Sequence, residues 1–369
     1  MFYLLLASAQ YGKYRCESNP DKSTYDDIKN TYIHCINLNP SVRYNQAYGK
    51  LTDFLCLSKT IKLDEEEFKK IIIEPFQQQN IYDSDYPYIL AQKAIYDYNN
   101  GHLNPFEQID QLYSDIKAPQ SLEYKSSVYR NYLKTCLETK RLDCFENCKT
   151  EIPFTFKKNP WFIKITSQYE LSIHNNLNQA INILQNNLYL DNDNELLLQL
   201  FKYKIYNEDY DYVEQNLNKL SDEEDIYDIK TTLYEYKKDL EKLYTVSNEH
   251  YLNSSQEFYD KMKYSYHLLI CKKYQECYDL LNVTQIQNPV LEINYELARK
   301  GIGKSIRNDK INALYTQCSD EEKAAACVLL NKNEEAISIL NNIIQKDKET
   351  YYRIKVFPVF ETIVSKLTF

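Results

Sequence analysis

Residues 319–347 read SDEEKAAACVLLNKNEEAISILNNIIQKD, and two helices with a break between them are legible in that stretch. Ser319 and Asp320 carry short side-chain acceptors suited to capping open amides, and Glu321 and Glu322 put negative charge in the first turn, where the helix dipole favours it. Lys323 to Leu330 is rich in Ala and helix-forming; Asn331-Lys332-Asn333 interrupts it. From Glu334 to Ile344 apolar residues return at the three-and-four spacing of one helix face. Small Ala324, Ala325 and Ala336 let two helix axes approach closely, and the larger Leu340 and Ile344 fill the space beside them.

The same unit recurs along the chain. Triplets with its spacing are Tyr25/Ile28/Tyr32, Phe68/Ile71/Pro75, Phe106/Ile109/Tyr113, Leu177/Ala180/Leu184, Tyr210/Val213/Leu217, Tyr274/Cys277/Leu281, Asn308/Ile311/Tyr315 and Asn333/Ala336/Leu340, with a weaker copy at Leu142/Phe145. Their first members drift around a period of about 34 residues, the length of one helix-turn-helix repeat. The pattern predicts an all-α fold, an α-solenoid of antiparallel helix pairs. Its expected organisation is one continuous array: degenerate helical repeats over 1–158, clearer ones over 159–350 and an apolar C-terminal helix or tail over 351–369. With 5 Gly and 10 Pro, a hairpin-rich β fold is disfavoured and few tight turns are expected.

The second helices resemble those of the tetratricopeptide repeat superfamily, which begin aromatic-x-x-Ala and are followed by Pro. The resemblance rests on Asn333 to Leu340, Lys272 to Leu281 and Leu177 to Leu184, on Pro40 after Tyr25, and on Asn159-Pro160-Trp161 as an entry into a first helix. It thins over 41–125 and 220–250, and the Gly usual on the first helix is replaced throughout. The likeness implies a superhelix whose first helices line a concave groove. Carried over to this chain, the groove residues are Tyr169, Ile173, Leu198, Lys202, Ile205, Tyr206, Tyr259, Met262, Tyr266 and Leu269. A peptide or helix would be anchored there by aromatic and apolar contacts. The Lys/Asn pattern with which some members clamp a terminal carboxylate is not recognisable.

Composition narrows the function classes. A net charge of −9 and a pI near 5.3, with no basic stripe, disfavour nucleic-acid partners. The 36 Tyr match the codon bias of an AT-rich eukaryotic genome, so a Tyr by itself says little about selection for a phenol. No apolar run reaches the roughly 18 residues of a membrane helix. Residues 2–9 end in the small-x-small pattern of a signal-peptidase site before Gln10, with cleavage between Ala9 and Gln10, but they lack a basic flank and also read as the first helix of a pair. The structural helix is favoured, in a cytoplasmic or other intracellular protein.

Nothing in the sequence promotes an enzyme, a cofactor or a metal. Gly303-Lys304-Ser305 imitates the end of a phosphate-binding loop, but Ala298 stands where the first Gly belongs and the preceding segment reads as helix. The five His are scattered without ligand spacing, and the acidic runs 64–67 and 222–225 sit at solvated helix starts. Ten Cys leave a disulfide reading open, with Cys136/Cys144, Cys271/Cys277 and Cys318/Cys327 each flanking a predicted turn. Cys277, however, takes the slot that Ala180, Val213 and Ala336 fill elsewhere, which is selection for size. The leading expectation is a scaffold or adaptor within a larger assembly, binding proteins through its groove and through an apolar end containing Phe357 and Phe360. That end lacks the polar outer face of a terminal repeat, so either it folds back on the array or another chain covers it. The alternative is a secreted or surface structural protein, stapled by disulfides and self-associating into filaments.

Overall fold

The computed structural model describes residues 4–8, 10–11, 22–42, 46–57, 61–117, 120–190, 194–282, 288–315 and 318–369. Every regular element among them is helical, so the fold is all-α. The chain divides into two compact units, Met1–Lys157 and Lys158–Phe369.

The first unit contains α1 (Lys22–Leu38), α2 (Ala47–Leu57), α3 (residues 65–79), α4 (Tyr86–Asn99), α5 (Glu107–Ser114), α6 (Leu122–Glu138), α7 (Leu142–Glu151) and the short α8 (Phe154–Lys157). Successive helices α2, α4 and α6 pack on one another, and α1, α5 and α7 pair with them. Aromatic rings dominate the interior: Phe54 lies 4.8 Å from Tyr25, and Phe76 stacks on Tyr86 at 5.4 Å. Helix α3 departs from the expected register. Lys69–Ile73 is a π-helical turn, and the extra residue it inserts rotates the face, so Phe68, Ile72 and Phe76 are buried in place of Phe68, Ile71 and Pro75. Residues 4–8 are helical with Ala7 fully buried; Ala9 and Cys16 lie outside the described residues.

The second unit is a run of helical hairpins: α9 (Pro160–Ser172) with α10 (Leu177–Gln185), α11 (Glu195–Tyr206) with α12 (Tyr210–Asn216), and α13 (Glu223–Lys237) with α14 (Leu240–Asn253). They continue as α15 (Phe258–Ile270) with α16 (Tyr274–Asn282), α17 (Pro289–Gly301) with α18 (Asn308–Tyr315), and α19 (Asp320–Leu329) with α20 (Asn333–Lys346). First helices stack on first helices: α9 on α11, α11 on α13, α15 on α17, α17 on α19. The fourth position of the second helices is where the hairpins close, and Ala180, Val213, Leu243, Cys277, Ile311 and Ala336 are all fully buried there. Helix α19 starts with a complete capping box: the Ser319 and Glu322 amides donate to each other's side chains at 2.7 and 3.4 Å.

The scarcity of Gly did not remove the tight turns. Asn175, Glu208, Lys238, Lys272 and Asn331 adopt left-handed backbone with φ from 53° to 61°, and each stands two residues before a second helix. Except at Asn175, the amide that follows donates back five residues, as in Lys273 to Leu268 and Lys332 to Cys327; Asn176 reaches back to Glu170. One turn geometry therefore repeats with Lys, Glu and Asn where Gly is the easy choice.

Candidate functional site: the first-helix face of the second unit

After α20 the chain does not continue the array. Lys348 donates its amide to the Ser172 carbonyl at 3.1 Å, and α21 (Glu349–Ile354) packs against α9, so the last hairpin of the unit is tied to the first. From there residues 348–369 run over the first helices. Tyr352 stacks on Tyr206 of α11 with centroids 4.8 Å apart and planes 15° apart, and its carbonyl accepts the hydroxyl of Tyr236 from α13. Lys355 lies over both the Tyr236 and Tyr352 rings. Phe357 packs 5.0 Å from Tyr266 of α15, and Val359 and Phe360, 5% and 2% exposed, enter the core formed with Ile293 and Ala325. Arg353 bonds Glu321 at 2.8 Å, and Phe369 returns to stack on Tyr351 at 3.9 Å.

The seat is lined by rings, and burial disfavours charge on several of the groups within it. The Glu235 carboxylate accepts the Tyr266 hydroxyl, yet burial pushes its pKa up to about 7. Burial likewise raises Glu349; Asp347 adds to that, while Lys202 and Arg353 oppose it. Burial lowers Lys355. Charges on this face are thus penalised, whereas rings find stacking partners about 5 Å away, the spacing at which aromatic pairs gain energy beyond area.

The expected groove residues separate into groups. Tyr206 meets Tyr352 and Tyr266 meets Phe357 of the returning segment, with Phe360 beside Phe357, and Lys202 faces Glu349. Tyr169 is buried against His174, Leu198 packs into the α11–α13 core, and Met262 packs beside Tyr251 and Tyr264. Ile205 and Leu269 are buried, Ile173 is half-buried at the end of α9, and Tyr259 remains 58% exposed. Tyr236, Glu235 and Tyr352 were missed. A signal for Tyr236 exists: it stands two residues before Lys238 as Tyr206 stands two before Glu208, so aligning hairpins on the left-handed turn superposes them.

Other clusters have simpler explanations. Ser247 Oγ lies 2.8 Å from His267 Nδ1, but both are buried, and burial holds His267 neutral with its pKa lowered to about 3. Glu65, Asp97 and His102 gather in the first unit, a group that sequence spacing did not show. The Lys93 ammonium sits 2.8 Å from Glu65 and 2.5 Å from Asp97, already supplying a cation there. Gly303 to Ser305 form the turn leaving α17, where Arg299 donates to the Ser305 carbonyl. Cys136, Cys144, Cys271, Cys277 and Cys327 carry unbridged thiols, and buried Cys318 belongs to the same core cluster as Cys327. No helix among the described residues is long and apolar enough to cross a membrane.

Compared with protein-family models, curated proteins and solved structures, the chain has no significant match.

Proposed function

We propose that the chain is a non-catalytic interaction scaffold of the tetratricopeptide-like kind, and that the first helices of its second unit bind a short peptide segment rich in aromatic side chains. The supporting observation is the seat of residues 348–360. Tyr352 stacks on Tyr206, Phe357 packs at a tilt against Tyr266, and a backbone carbonyl is held by Tyr236. Aromatic anchors on rigid helices with a main-chain hydrogen bond between them make up a peptide-recognition surface, here engaged by the chain's own residues. The acidic net charge and the ring-lined seat favour a protein partner over a polyanion.

A random-peptide library selected against the full chain tests this reading. Enriched sequences should carry spaced aromatic residues and bind at least about tenfold more weakly to Tyr266→Ala and Tyr206→Ala chains, the loss expected of truncating an aromatic anchor. Peptides that bind both variants as well as the parent would locate recognition elsewhere and end the proposal.

A further inference from the structure

Beside the returning segment an apolar cavity of about 150 Å³ is left unfilled between α15, α17 and α19. We infer that this cavity receives one aromatic side chain of a partner's peptide segment, which takes the place now held by residues 357–360. The inference rests on the segment-binding reading above and names the residue type that the face selects.

The cavity's walls decide its chemistry. Leu269, Val290, Ile293, Leu297 and Ala325 supply its helical sides, and Val359 borders it from the returning segment. The polar groups at its rim are already engaged: Ser319 and Glu322 in the capping box, Glu321 with Arg353, and Asn294 with Ser265 at 3.0 Å. Each of these groups already has a partner within the fold, and the walls between them are apolar, so the pocket favours an apolar group over a charged or sugar-like one. The pocket is partly open to solvent, and its volume has room for a ring the size of benzene. The chain's own segment underfills it because Val359 offers two methyl groups where a six-membered ring fits. Phe357 and Phe360 on either side are placed by Tyr266 and by the core, so neither turns into the gap.

Displacement then follows from volume. A free peptide of native sequence competes against a tethered copy of itself at millimolar effective concentration and loses. A segment with a ring at the Val359 position fills the cavity, a contact that the tethered copy lacks.

The test uses the full chain, benzene as probe, and two synthetic peptides: ETYYRIKVFPVFE, the sequence of residues 349–361, and the same peptide with Val359→Phe. Benzene should raise the melting temperature of the parent chain and leave an Ala325→Leu chain unmoved, because the new side chain occupies the void. Should Ala325→Leu fail to fold, Val359→Phe in the full chain serves instead: it should melt higher than the parent and no longer respond to benzene. The Val359→Phe peptide should bind the parent at least about tenfold more tightly than the native-sequence peptide. A parent chain indifferent to benzene overturns the inference whatever the variants do. Two peptides of equal measurable affinity overturn it while leaving segment binding intact. Benzene binding without binding of either peptide makes the cavity a small-molecule site and also overturns it.

Discussion

Gly301, the last residue of α17, is where a single methyl group would do most harm. A Cβ built there meets the Tyr274 ring at 2.3 to 2.7 Å, and the nearest atom is Cγ, at the root of the ring, which cannot swing away. Gly301→Ala should therefore cost about 1–3 kcal/mol, the usual scale of overpacking, measurable by urea denaturation of the pair. Unchanged stability would mean that α16 and α17 have slack to separate. Glu235 and His267 make stability depend on pH in opposite senses. Glu235 is raised from 4.5 to about 7 in the fold, so it contributes stability below pH 4.5 that is lost as pH rises through 7. His267 is lowered from 6.5 to about 3, so its contribution is present above pH 6.5 and is lost as pH falls toward 3. Glu235→Gln should flatten the decline of melting temperature between pH 5 and pH 8, and an unaltered profile would assign that decline to other groups. Burial also pushes the thiols of Cys56, Cys136 and Cys277 up to about 12 and those of Cys271 and Cys327 up to about 11. At pH 8 these five should resist alkylation in the native chain and react fully in denaturant without reductant; any that stay blocked in denaturant are bridged.

At the scale of elements, the left-handed turns are the distinctive economy of this chain. A non-Gly residue at φ near 60° carries a steric cost of about 1–2 kcal/mol that Gly avoids. Replacing Lys272, Lys238 or Glu208 by Gly should accordingly stabilise the protein by a few tenths to about 1 kcal/mol after the greater freedom of Gly in the unfolded chain is deducted. A loss of stability at all three would show that their side chains have packing roles of their own. These turns also explain what could be read from sequence. Hairpin pairing was legible where the second helix repeats the same small buried position, as at Ala180, Val213, Cys277 and Ala336, and not at α14, where Leu243 takes that place. The turns themselves were not, since counting Gly says nothing about a chain that bends on Lys and Asn. Nor was the π-helical turn at Lys69–Ile73, because a one-residue insertion leaves the local apolar density unchanged while it rotates the buried face from Ile71 to Ile72.

At the scale of the whole molecule, the seat of residues 348–360 was the part least visible in advance. Local periodicity flagged an apolar end at Phe357 and Phe360 and posed the alternatives of folding back or being covered. It could not choose, because Lys348 meets Ser172 and Phe357 meets Tyr266 across long sequence separations that no spacing rule encodes. Phe360, 2% exposed, should cost about 3–5 kcal/mol when changed to Ala, the range for a buried ring. Its loss should speed hydrogen exchange in α9 as well as in α19, since α21 and the turn after it hold both; acceleration confined to α19 would mean that the tie to Ser172 survives unaided.

The order of synthesis adds something to this closure. Residues 348–360 are made after every helix on which they settle, and domains fold as they emerge, earlier parts first. On the ribosome, then, Tyr206, Tyr236 and Tyr266 are displayed before their own cover exists. If the proposed segment binding holds, a binder present at the site of translation would meet an unoccupied seat once, during the birth of each molecule, and one arriving later would have to compete for it.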